Sequence, residues 1–311
     1  MLSICICTYN PKPALFSRVL EAIAAQTNAG FDVLIVDNAS TPALDAALLA
    51  PLSARGIAAH IVREETPGLI HARLCAIAAT ASEWILCVDD DNILAPEYVA
   101  EGLAFIAAHP EVAAFGGKLA LPAQTRVPEG VAPFLPYLAV RDAGEAVMKG
   151  VSEKWEAWEP PAAGAFIARP VLEDFAAFVR ANANATALGR APGSFASCED
   201  SLLMHSAFRV GRATAYNPRL RLEHHVDPAR FAFSNLVRLM EGYGRSHAVL
   251  ENLLRGPAPT PHYYRTPAHA AMVALATGVR DFKHSARYAY ARARYHLAAA
   301  RAYRDLEKSA P

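Results

Sequence analysis

The sequence predicts an α/β fold on a mostly parallel sheet, and three observations carry that prediction. Across roughly the first 120 residues, short runs rich in Ile, Val and Cys alternate with longer runs of helical periodicity. Each of the longer runs has a proline near its start, where a missing N–H costs nothing. A polar group directly follows every short run, as happens where strands of such a sheet end at a ligand crevice.

The elements follow in order. Leu2–Cys7, Asp32–Val36, Ala58–Val62 and Trp84–Val88 read as buried strands, being short, apolar and bounded by polar or turn residues. Pro13–Gln26, Pro42–Ala54 and Pro67–Ala79 read as the intervening helices, and a further helix starts near Pro96. From about 120 to 160 the pattern weakens into proline-rich connecting loops that end in Trp155 and Trp158, which suit either an exposed stacking face or the core. Ala162–Ala168 resumes as a small-residue strand, Pro170–Arg180 as a helix, and 182–197 as a Gly/Ala/Asn/Ser loop. Ser201–Val210 reads as a helix headed by Cys198-Glu199-Asp200, and Leu220–His225 as a short strand. Beyond Pro228 the chain reads as helical, with a proline-rich break at 256–267. The expected organisation is a main domain over 1–226, in halves 1–120 and 121–226, with a helical extension over 227–311.

Composition excludes several classes. Lys plus Arg and Asp plus Glu both number 30, so no overall field recruits nucleic acid. The five cysteines, Cys5, Cys7, Cys75, Cys87 and Cys198, contain no CxxC pair, which argues against a structural zinc site or a disulfide framework. Those in strands read as small buried residues. No signal peptide fits the start, and no run of about 18 apolar residues could span a bilayer, so a cytoplasmic protein is expected.

The run W-I-L-C-V-D-D-D-N at 84–92 ends a buried strand in three aspartates, Asp89, Asp90 and Asp91. Like charges so close raise one another's pKa unless something positive compensates them. A hard divalent cation, magnesium or manganese, is the economical answer, and strand alternation would put Asp89 and Asp91 on one face. A solvated acidic turn capping the next helix is the plainer alternative.

The motifs S-I-C-I-C-T-Y-N, L-I-V-D-N-A-S, P-G-L-I-H-A-R and V-D-D-D, joined by P-P-A-A-G-A-F at 160–166 and C-E-D at 198–200, resemble in order and interval the inverting family 2 glycosyltransferases of GT-A fold. The resemblance covers about residues 1–226. It implies a metal-dependent enzyme that moves a sugar from a nucleoside-diphosphate sugar, with UDP the expected nucleotide, to a hydroxyl of a glycan or polyprenyl-linked acceptor. It implies that Thr8, Tyr9 and Asn10 border the nucleotide. Asp37 would accept the N–H of a uracil ring, with Asn38 and Ser40 nearby. Arg63, Glu65, Gly68 and Arg73 would lie along the donor. Asp89 would contact the ribose or sugar, with Asp90 beside it, and Asp91 would bind the metal. One of His224 and His225 would add a metal ligand, because adjacent residues on a strand face opposite ways. Asp200 would be the general base beside Glu199, and Gly164 and Phe166 would approach the donor sugar or acceptor. Ala163 departs from the more usual glycine of that motif. A sugar nucleotidyltransferase is a weaker alternative, since the loop T-Y-N-P-K-P has no glycine to cradle a triphosphate. A non-catalytic partner subunit of the same fold is another, although Asp200 and the aspartate cluster are both present.

From Arg255 to Pro311 ten Lys or Arg face three acids, with Tyr288, Tyr290, Tyr295, Leu297 and Tyr303 interspersed. That mixture suits a peripheral helix on an anionic membrane, and nearly as well a solvated basic helix packed on one side.

Overall fold

The computed structural model describes residues 1–256, 260–282 and 285–308. Part of the expected proline-rich break and Lys283 of the basic tail lie outside the described residues. The described chain forms two compact units, the first comprising Met1–Ala123, Ala139–Phe178 and Asp200–His225, the second Gln124–Leu138, Val179–Glu199 and the chain from Val226 onward. The segments 124–138 and 179–199, expected within the main domain, thus group with the C-terminal helices.

Unit 1 is built on a mixed sheet. Its first half is β1 (Leu2–Thr8), α1 (Pro13–Ala24), β2 (Phe31–Asn38), α2 (Ala50–Ser53), β3 (Ala59–Glu64), α3 (Leu69–Ala79) and β4 (Trp84–Val88). These strands run parallel in the order β3-β2-β1-β4. The expected helix over 42–54 is instead a 3-10 turn capped by Asp45 and the single turn of α2, because Pro51 lacks the N–H that would continue the helix.

Then follow β5 (Asn92–Leu94), α4 (Tyr98–Ala108), β6 (Val112–Ala120), β7 (Met148–Gly150), β8 (Phe166–Ala168), α5 (Arg169–Ala181), α6 (Glu199–Arg209) and β9 (Ala213–His224). β8 runs antiparallel between β4 and β6, β6 pairs parallel with β9, and β5 and β7 both pair antiparallel with β9. The expected strand over 162–168 shortens to β8 because the chain turns at Gly164. The core joins β1, β2, β4 and β6 to α1 and α4 through Ile4, Ile6, Phe16, Ile35, Leu86, Val99 and Phe115.

Unit 2 holds α7 (Phe233–Arg255), α8 (Pro267–Asp281) and α9 (Ala286–Lys308). Phe134 meets Tyr288 edge-on, and Tyr137 meets Tyr243 in the same way. A small core of Tyr264, Ala270, Ala299 and Ala300 lies under α8 and α9. Among the described residues no helix is long and apolar enough to cross a membrane.

Candidate functional site

Strand register assembles the site. Thr8, Asp37 and Arg63 are lateral neighbours at the carboxyl ends of β1, β2 and β3. Ile6 pairs with Val88 on β4, so the chain just beyond β4 comes level with Thr8. Thr8 Oγ1 there donates a short hydrogen bond to Asp90.

The loops after β1 and β2 are knitted together. The Asn10 N–H donates to Ser40 Oγ at 2.9 Å, and the Thr41 N–H to Asn10 Oδ1 at 2.8 Å. Asp37 is 1% exposed, and its carboxylate accepts from the Ser40 N–H (3.0 Å), the Leu44 N–H (3.1 Å) and Arg63 Nη1 (2.8 Å). Burial alone would raise its pKa, but the hydrogen bonds from Ser40 and Leu44 and the Arg63 charge outweigh burial and hold it below the usual carboxylate value. The expectation that Asp37 meets an incoming base therefore encounters a carboxylate already spent on anchoring Arg63 and the loop after β2. Arg63 Nε also binds Glu65 at 2.8 Å. Asn38 is likewise spent on the chain itself, donating to the carbonyls of Glu64 and Thr66 and accepting the Gly68 N–H at the start of α3. Tyr9, in contrast, is 44% exposed beside these loops.

Arg73 is buried, with Nη1 3.3 Å from Cys87 Sγ. It lines a small cavity with Cys5, Cys7 and Asp89.

The aspartate turn owes its shape to Asn92, which has no exposed surface. The Asn92 N–H donates to the Asp89 carbonyl, its Oδ1 accepts the Asp89 N–H, and its Nδ2 donates to Asp91 Oδ1 at 3.0 Å. Burial pushes the Asp90 carboxyl up to about 6, the Thr8 hydrogen bond opposes that rise, and Asp91 and Asp89 add to it. Pairing of β5 with β9 then sets Asn92 opposite His224. His224 Nε2 lies 3.5 Å from Asp91 Oδ2 and Nδ1 lies 3.2 Å from the Ala139 carbonyl. A carbonyl can only accept, so Nδ1 carries the proton and the Nε2 side of the ring faces the carboxylate. The His225 ring points instead to Glu223 at 3.3 Å, while its N–H holds the Asp91 carbonyl. Of the two expected histidines, His224 is the one whose ring reaches Asp91.

Among the described residues no three His, Cys, Asp or Glu side chains form a ready-made metal cage. Asp91 and His224 nevertheless offer a carboxylate and an imidazole on one side of the crevice, the tautomer of the latter set by Ala139. That is a donor set a divalent ion can use when its other ligands are water or phosphate oxygens.

Asp200 is the second residue of α6, and its Oδ1 accepts the Ser201 N–H at 2.9 Å. Two residues that carry no motif stand in its field. Arg141 is drawn down by burial and up by Tyr216, Glu159 and Asp200, and it donates to the carbonyls of Glu159 and Ala157. Glu159 is 4% exposed, and burial, with Glu156 and Asp200 adding to it against Arg141, pushes its carboxyl up to about 8. Residues 139–141 thus hold His224 at one end and face Asp200 at the other. Glu199 is buried.

Two of the expected positions are tightly packed within the protein. The Phe166 ring has no exposed surface and stacks on Phe115 at 4.9 Å and Tyr98 at 6.0 Å, so it is part of the core. Gly164 has φ +73°, and a Cβ there would sit 2.4 Å from Leu222 and 2.6 Å from the Tyr98 hydroxyl. Close packing, which suffices without a ligand, explains that glycine. Of the tryptophans, Trp155 is 47% exposed, and Trp158 packs over Gly150 with its Nε1 buried and without a hydrogen-bond acceptor among the described residues.

Comparison with known proteins gives residues 3–126 as a match to Glycosyl transferase family 2. The chain is 28% identical over 112 residues to the uncharacterized protein y4gI of Sinorhizobium fredii, which aligns 36% of this chain and 12% of that protein. It is 30% identical over 115 residues to an uncharacterized glycosyltransferase of Haemophilus influenzae, 36% of each chain. The chain thus spans well under two thirds of either curated relative. Two similar solved structures are TarS 1–349 of S. aureus, with TM-score 0.48, 16% identity and coverage of 99% of this chain and 90% of that one, and the mannosyltransferase PcManGT of Pyrobaculum calidifontis in complex with GDP-Man and Mn2+, with TM-score 0.49, 19% identity and coverage of 96% and 85%.

Proposed function

We propose, for a chain that is a family 2 glycosyltransferase of GT-A fold with its family match over residues 3–126, that it transfers a sugar with inversion from a nucleoside-diphosphate donor to an acceptor hydroxyl. The observation that carries this reading is the Asp91–His224 pair at 3.5 Å, set at the sheet edge where Thr8, Arg63 and the aspartate turn also end. The nucleotide would lie along the exposed Tyr9 and the loops fixed by Asp37 and Asn38, with Arg63 and Arg73 as its cationic neighbours. Asp91 and His224 would hold a divalent cation, manganese or magnesium, which when bound supplies positive charge to the departing diphosphate.

Asp200 would take the proton of the acceptor hydroxyl. The freed oxygen forms its bond to the anomeric carbon from one face while the bond to the diphosphate breaks on the other, and the leaving group keeps the electron pair. One displacement of this kind inverts the centre. Arg141 interacts electrostatically with Asp200, which places a cation in the surroundings of the proposed base. The acceptor is a glycan or polyprenyl-linked hydroxyl, and UDP is the first nucleotide to try. Because Asp37 is engaged within the chain, the choice among nucleotides is left to measurement.

Calorimetric titration with UDP, GDP and CDP, each with and without manganese, tests the reading. We expect one diphosphate to bind in a manganese-dependent manner, and Asp91→Asn to remove that dependence. Asp200→Asn should bind the same ligand normally while losing transfer by a factor of about a thousand or more. Wild-type turnover in both folded variants would overturn the assignment.

A further inference from the structure

The face of unit 2 formed by α8 carries an apolar surface that no role described above uses. Met272, Leu275, Val279 and Phe282 recur at three- and four-residue spacing and so share one helix face. They are 63%, 69%, 71% and 65% exposed. Ala268, Ala271 and Ala276 of the same helix are exposed too, and from Pro267 to Val279 the helix has no Lys, Arg, Asp or Glu. Leu275, Val279 and Phe282 border an open groove whose other wall is Tyr290 and Ala293 of α9. So large an exposed apolar stripe on one helix marks an interaction surface.

The charges around it select the partner. Along α9, Arg287, Arg294 and Arg301 recur every seventh residue, a row beside the line of Tyr290 and Ala293. Arg287 and Arg301 are exposed, while Arg294 is held by Tyr290 and Glu241. Arg265 precedes α8, and Arg280 stands at its end. The only Asp or Glu within α8, Asp281, is buried and paired with Arg280 and Arg292. Tyr263 and Tyr290, 45% and 49% exposed, add the amphipathic rings favoured at a lipid interface. A symmetric contact with a second copy would set the arginine row against itself. A bilayer of acidic phospholipids receives both the apolar stripe and its cationic rim.

We propose that α8 lies flat on an anionic phospholipid surface, with Leu275, Val279 and Phe282 inserted at the headgroup boundary and Arg287 and Arg301 on the lipid phosphates. Tyr288, Tyr290, Tyr295 and Tyr303 of the basic tail fall on α9. The structure moves the apolar part to α8 and leaves α9 to supply charge. This inference extends the lipid-linked acceptor named above and does not depend on the transfer chemistry.

The test is co-sedimentation of the full chain, without nucleotide, with vesicles of phosphatidylcholine alone or with about a third phosphatidylglycerol. We expect salt-sensitive binding to the anionic vesicles only. Leu275→Ser with Phe282→Ser, and separately Arg287→Glu with Arg301→Glu, should each weaken it about tenfold or more. Circular dichroism and nucleotide titration of these variants should match wild type. The proposal is overturned by no binding, by equal binding to neutral vesicles, by variants that bind as well as wild type, or by a size-exclusion dimer that the serine variant dissociates. Because the assay contains no donor, its failure leaves the glycosyl-transfer reading to its own titration.

Discussion

A carboxyl group with 4% exposure and a pKa pushed up to about 8 is a cost to the folded chain at neutral pH and above, and Glu159 is such a group. The folded chain holds this proton more tightly than the unfolded chain, whose glutamate titrates near 4.5. Stability contributed by the protonated form is therefore full below about pH 4.5 and falls as pH rises through about 8. Glu159→Gln removes the titration while keeping the shape. At pH near 9 the variant should be more stable than wild type by about 2–3 kcal/mol, with the difference gone by pH near 4. Chemical denaturation at both pH values measures this, and a constant difference would show that Glu159 does not titrate in this range. Neither Glu159 nor Arg141 could be picked out beforehand, since each stands alone in a proline-rich stretch and meets Asp200 only once the chain is folded. Asp91 and Asp200 stand out in the sequence because their motifs are local. The choice of His224 over His225 needed the β5–β9 register.

At the level of elements, the parallel half of the sheet was readable because β1, β2 and β4 are continuous apolar runs. β6 carries no clear strand signal, for a physical reason. Its sequence V-A-A-F-G-G-K-L-A holds alanines and glycines with little strand preference, yet a Cβ on Gly117 would lie 2.1 Å from the Leu220 carbonyl oxygen. The glycine that hides the strand from a pattern search is what allows β6 and β9 to approach. The same logic makes the turn before β8 sensitive. Gly164 combines a left-handed φ with Tyr98 and Leu222 where a methyl would go, and its carbonyl accepts the Tyr98 hydroxyl at 2.6 Å. Gly164→Ala should cost about 2–4 kcal/mol in a denaturant melt. A shift within about 0.5 kcal/mol would mean the turn can relax without disturbing β8.

For the whole molecule, the two units differ in how each is held together. The core of unit 1 is a broad layer of Ile, Leu, Val and Phe between sheet and helices, whereas the cluster under α8 and α9 rests on Tyr264 and three alanines. Buried apolar area sets local stability, so α8 and α9 should open with less free energy than β1 and β4. Hydrogen exchange should therefore protect the amides of β1 and β4 far more than those of α8. The proposed nucleotide site is drawn from unit 1 residues, Thr8, Arg63, Asp91 and His224. A ligand that binds only the folded state stabilises it by about 2.7 kcal/mol at a hundredfold excess over Kd. Adding the diphosphate that titrates, together with manganese, should slow exchange in β1, β4 and β9 by about a hundredfold and leave α8 unchanged. Equal slowing in α8 would mean that the units unfold as one and that binding energy reaches the helices. Slowing in α8 alone would move the nucleotide site out of unit 1.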